Sequence, residues 1–201
     1  PDLPKRSRVL TELSLLLKEP KFLDEALATA REIPDERLRA QALVEIAPKL
    51  QDAREALAVA RGVWDKKLRA QALAEIAPKF KDDQRRELLD EALATAREIQ
   101  DRGHQAWVLA KIASNLQDAQ KTEVLNEVRA IAREIQDKGH QAWVLARIAP
   151  NLKEAQKTEV LNEALALVKE IQDTNIRIKA LAEIVANFQD GQKRVVLNEL
   201  L

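Results

Sequence analysis

Residues 102–137 read RGHQAWVLAKIASNLQDAQKTEVLNEVRAIAREIQD, and residues 138–173 repeat them closely as KGHQAWVLARIAPNLKEAQKTEVLNEALALVKEIQD. The REIQD string that starts at Arg97 starts again at Arg133, so the period is 133 − 97 = 36. A fixed period of this size restricts the chain to architectures in which one supersecondary unit stacks on the next and shares a continuous core. Weaker copies fill the rest of the sequence. With Arg31, Arg61, Arg97, Arg133 and Lys169 in register, the first interval is 30 and the next three are 36. The short repeat lacks residues where the others read DDQRRELLDE or AQKTEVLNE, at the start of a second helix. About a turn and a half can be lost there without breaking the stack.

Each repeat reads as two helices. The first opens after Asp35, Asp65, Asp101, Asp137 or Asp173, whose carboxylates can accept from the free N–H groups of a first turn. Apolar residues follow at helical spacing: Ala40, Leu43, Ile46, Ala47 and Leu50, and again Ala106, Leu109, Ile112, Ala113 and Leu116. Pro48, Pro78 and Pro150 are predicted to kink or stop that helix, because proline lacks the N–H and crowds the previous turn. The second helix carries Leu89, Leu93, Ala96 and Ile99, matched by Leu125, Val128, Ala132 and Ile135. Connections of two to five residues require antiparallel neighbours.

The expected fold is all-α: a right-handed α-solenoid of about twelve helices in six stacked two-helix repeats. One helical-repeat domain spans residues 1–201, with repeats near 5–33, 34–63, 64–99, 100–135, 136–171 and a truncated 172–201. Ser7 is expected to cap the first helix. At the other end GQKRVVLNELL stops in mid-register, leaving Leu197, Leu200 and Leu201 as an uncovered stripe that would favour self-association.

Composition excludes several functions. Lys+Arg and Asp+Glu are both 33, so the net charge is +0, which speaks against nucleic acid as a partner. Cys is 0, leaving neither disulfides nor thiol chemistry. No stretch is apolar enough to cross a membrane and no signal-peptide pattern opens the chain; both suit the cytoplasm. Met is 0 even at position 1, which points to an excised fragment, a processed chain or a designed sequence.

The Ala-Trp of QAWVLAKIA, within a helix–turn–helix repeat of this length, resembles the tetratricopeptide class of α-solenoids. The first helix lacks the Gly and Tyr of that class, and no Pro closes the repeat. The strings ALATAREIPDERLRAQALVEIAPKL and ALAVARGVWDKKLRAQALAEIAPKF resemble Ala-rich repeats of bacterial, especially cyanobacterial, signalling proteins, found beside nucleotide-switch domains of the NB-ARC or NACHT kind. That resemblance implies a sensor or scaffold array that binds protein or peptide. No G-x-x-x-x-G-K-[ST] string occurs, so no nucleotide chemistry is implied.

No residue constellation asks for catalysis, a cofactor or a metal. His104 and His140 share one register position, yet Leu38, Leu68 and Ile176 stand there in other repeats, and converging ligands are wanting. Carboxylate pairs such as Asp82/Asp83 recur beside Lys and Arg, as on solvated helix faces. Arg129 replaces Leu27, Leu57, Leu93 and Leu165; its stem packs with the head in water, or it pairs with a carboxylate from an adjacent helix.

The candidate site rests on tryptophans. Trp107 and Trp143 match Gln41, Gln71 and Lys179, and Trp64 matches Pro34, Gln100 and Gln136. At about 100° per residue, position 107 lies opposite the Leu109/Ile112/Ala113/Leu116 stripe. The rings either wedge between first helices as peripheral core or form an exposed ladder on a concave face. Lys111 and Arg147 replace Glu45, Glu75 and Glu183 one turn on. Trp107, Lys111, Trp143 and Arg147 are therefore the expected partner-binding residues, suited to a peptide with apolar and acidic groups. The alternatives are a designed or consensus-like scaffold without natural ligand, and a helical-repeat RNA binder.

Overall fold

The computed structural model describes residues 2–188 and 193. The described residues form eleven α-helices and no strand, which bears out the all-α expectation. Apart from Lys193, the expected twelfth helix, with the stripe Leu197, Leu200 and Leu201, lies outside the described residues. Contacts group the chain into two compact units that divide between Ile99 and Gln100.

In the N-terminal unit the helices are α1 (Leu3–Leu17), α2 (Pro20–Arg31), α3 (Glu36–Ile46), α4 (Ala53–Arg61), α5 (Lys66–Ile76) and α6 (Asp82–Arg97). Consecutive helices pack as hairpins, and α1, α3 and α5 also pack side by side. In the C-terminal unit they are α7 (Arg102–Ala113), α8 (Asp118–Glu134), α9 (Lys138–Ile148), α10 (Glu154–Lys169) and α11 (Thr174–Val185). Here α7 and α8 form one hairpin, α9 and α10 the next, and α9 packs between α7 and α11.

The aspartates cap as expected. Asp35, Asp65, Asp101, Asp137 and Asp173 each accept from the backbone N–H three residues on, at 2.6–2.9 Å. Asp52 does the same for α4, accepting from Arg54 and Glu55. Caps of this kind stabilise a helix by about 1 kcal/mol each.

Proline sets where the first helices stop. In α3, α5 and α9 the α-helix ends two residues before Pro48, Pro78 or Pro150, and the chain tightens into a 3₁₀ turn over Ala47–Lys49, Ala77–Lys79 or Ala149–Asn151. Where the repeat has Ser114 or Ala186 instead, α7 and α11 run one residue further and no such turn follows. The 30-residue repeat is short because α4 has 9 residues against 16 in α6.

Ser7 does not cap α1. The helix starts earlier, at Leu3, with Asp2 accepting from Lys5 N–H and Pro4 in the first turn, where its missing N–H costs nothing. Ser7 is buried inside the helix and donates to the Ala26 carbonyl of α2 at 3.1 Å.

The core is built from both faces of the middle helices. Ala106, Leu109, Ile112 and Ala113 are buried as the periodicity requires, but so are Val108 and Ala110. The same holds for Val144 and Ala146 in α9, which is flanked on two sides and backed by α10. Alanine on these faces permits close helix approach.

Charged pairs stitch the outer edges. Lys66–Glu98 (2.8 Å), Arg102–Glu134 (3.2 Å) and Lys138–Glu170 each tie the start of a hairpin's first helix to the end of its second. Arg61–Glu91 (2.6 Å) links α4 to α6, and Arg133–Glu163 (3.1 Å) links α8 to α10. Arg129 takes the second course open to it, reaching Glu159 at 2.7 Å and Glu163 at 3.1 Å on α10. These guanidinium bonds hold Glu159 below its usual pKa. Burial pushes Glu163 the other way, and its bonds from Arg133 and Arg129 outweigh it, leaving that carboxyl low as well.

Candidate binding groove of the C-terminal unit

Three first helices of the C-terminal unit leave a groove of about 390 Å³ between their C-terminal parts. Its lining repeats with the sequence period. Position 111 returns as Arg147 and Glu183, and Ser114 as Pro150 and Ala186. Ala110 and Ala146 keep the floor low.

Trp107 lines the groove and is half-buried. The Lys111 ammonium lies 5.7 Å from its ring centroid, within cation–π range. Trp143 is also half-buried, but its ring does not line the groove. The Arg147 guanidinium sits 5.6 Å from its centroid, and His140 meets it edge-on at 6.0 Å. Of the four expected residues, Trp107, Lys111 and Arg147 share one concavity, and Trp143 supports Arg147 from behind. The tryptophans are neither a bare ladder nor wholly core.

Two of the lining residues, Asn187 and Ala146, are joined by a bond that the periodicity does not foretell. The Asn187 amide donates to the Ala146 carbonyl at 3.1 Å and to the Glu183 carbonyl at 2.9 Å. Ala146 would normally accept from the residue four places on, which is Pro150 and has no N–H. Asn187 thus satisfies a carbonyl that proline leaves vacant and fixes the end of α11 to α9. Counting four residues back from each proline would have exposed the vacancy, though not its partner.

The glycines at the other end of these helices were also missed. A Cβ on Gly139 would stand 2.5 Å from the Ile176 Cγ2 methyl, and one on Gly103 would stand 3.3 Å from the His140 ring. His140 therefore packs over Gly103 and Ile176 over Gly139, each over the glycine of the preceding repeat. That is a structural use for His140. His104 instead places Nδ1 3.0 Å from its own cap Asp101. The His104 backbone N–H, followed by its ring, holds the Asp101 carboxyl below its usual range. No group of three potential metal ligands occurs among the described residues.

In the N-terminal unit the equivalent positions carry Gln71 and Glu75, which bond each other at 3.1 Å. Trp64 is 54% exposed and donates its indole N–H to the Glu36 carbonyl. No helix among the described residues is long and apolar enough to cross a membrane. Neither a protein-family model nor a curated protein matches this chain.

Proposed function

We propose that the chain is a non-catalytic, cytoplasmic protein- or peptide-binding scaffold built as a right-handed α-solenoid. The observation that carries this reading is the groove in the C-terminal unit, where Trp107, Lys111 and Arg147 converge. A half-buried tryptophan and an arginine lining one concavity are the residue types enriched at binding hot spots. The volume admits a few side chains of an extended segment. The 36-residue period, the Asp-capped hairpins and the side-by-side packing of first helices support the solenoid. The resemblance to tetratricopeptide-like and Ala-rich bacterial repeats supports a sensor segment of a larger signalling protein.

Selection of a displayed peptide library on the full chain tests this. Enriched peptides should bind by fluorescence anisotropy, and Trp107→Ala should weaken them roughly tenfold or more, a typical hot-spot loss. No enrichment, or peptides indifferent to Trp107→Ala and Arg147→Ala, would refute the reading and favour a scaffold without ligand. Labelled single-stranded RNA in the same assay is the control, and balanced charge predicts no binding at moderate salt.

A further inference from the structure

Arg147 and Glu183 have opposite charges, occupy equivalent positions on adjacent helices and line one groove, yet they do not pair. Arg147 stacks on Trp143, and neither it nor Glu183 makes an ion pair with a described residue. Elsewhere the chain joins such charges across neighbouring helices, as Arg61–Glu91 and Arg133–Glu163 show. Pro150 and Asn187 line the same groove, and the Asn187 amide is already committed to the Ala146 carbonyl. Among the described residues, a cation and an anion that make no ion pair, on adjacent helices lining one concavity, form a dipolar receptor.

Resting on the peptide-binding reading above, we propose that the groove reads a dipolar peptide segment. An acidic side chain of the ligand meets Arg147 and a basic one meets Glu183, with an aliphatic residue against Trp107. Packed helices lie about 10 Å apart, and an extended chain advances about 3.3 Å per residue. The two ligand charges are therefore about three residues apart. A free amino acid holds its ammonium and carboxylate on one carbon and cannot span both walls.

The probe is the fluorescein-labelled, amide-capped hexapeptide Ala-Glu-Leu-Ala-Lys-Ala, compared with its Glu/Glu and Lys/Lys versions by anisotropy at low salt. The mixed peptide should bind about tenfold tighter than either, since a like charge against each wall is penalised. Arg147→Glu should turn the preference to Lys/Lys, and Glu183→Lys to Glu/Glu. The double exchange should restore preference for the mixed peptide. Circular dichroism checks that the variants keep their helix. Equal binding of all three peptides, lost on Trp107→Ala, would overturn the dipolar code and leave peptide binding standing. Absence of binding by all three also overturns the code, while the library selection judges peptide binding separately. Competition by free glutamate or lysine at comparable concentration would assign the groove to a small zwitterion instead.

Discussion

The side-chain amide of Asn187 donates to the Ala146 carbonyl, replacing the N–H that Pro150 cannot offer. The bond joins the end of α11 to α9, and both residues line the groove.

This relationship predicts a coupling. Asn187→Ala should cost about 1 kcal/mol, with a partly buried carbonyl left unmet. Pro150→Ala supplies a backbone N–H of its own, so in that background Asn187→Ala should cost less than half as much. A double-mutant cycle by urea denaturation measures the difference, and additive losses would contradict the assignment.

The two glycines should respond differently to alanine. At Gly139 the new methyl would lie 2.5 Å from the Ile176 Cγ2 methyl, which is attached at Cβ and cannot swing clear without a change of χ1 or of backbone. Gly139→Ala should destabilise by about 1–3 kcal/mol, as overpacking does. At Gly103 the neighbour is the His140 ring at 3.3 Å, which can tilt, and alanine's better helix propensity offsets the squeeze. Gly103→Ala should fall within about 0.5 kcal/mol of the parent. Thermal midpoints of both variants check this.

Arg129 stands where other repeats have leucine. Arg129→Ala removes both the packed stem and the bonds to Glu159 and Glu163, and should cost about 1–2 kcal/mol. Arg129→Leu restores apolar contact and should recover most of that loss, because a well-packed leucine replaces such a pair at little cost. Equal losses in the two variants would show that pairing, not packing, is what position 129 supplies.

Acid should weaken the fold in one direction only. Asp52, Glu98, Asp101, Glu159 and Glu163 are all held below their usual pKa values, by backbone N–H groups, by Lys66, by His104, and by Arg129 and Arg133. The unfolded chain then binds more protons than the folded one as pH falls through about 4. Their contribution is complete above the unfolded values and is lost below the folded ones. Denaturation midpoints should be flat from about pH 5 to 7 and fall steeply below about 4. Glu163→Gln should make the acid limb shallower, and an unchanged slope would remove Glu163 from the set.

Features decided within one turn of chain were legible in the sequence. An aspartate that caps the N–H three residues on, or a proline that ends a helix, needs no distant partner, and all five caps and three proline stops follow from local sequence alone. Features decided by a neighbouring helix were not. Ser7 looks like a cap until the Ala26 carbonyl is placed beside it. Gly139 looks like a weak helix residue until Ile176 is placed over it, 37 residues away. Trp107 and Trp143 share a register position, which fixes their helix face but not what stands opposite. One lines the groove and the other backs Arg147.

The near identity of the α7–α8 and α9–α10 hairpins bears on kinetics. Each presents almost the same apolar stripe, so during refolding one can dock where the other belongs, a slip of one 36-residue period that leaves most burial intact. Few differences forbid it. Arg129, which finds Glu159 and Glu163 in the native register, is the strongest, since Leu165 holds its place in the copy. The ion pair across α8 and α10 thus acts as an index mark that tells one turn of the repeat from the next, and its removal would be felt as slower, more heterogeneous refolding.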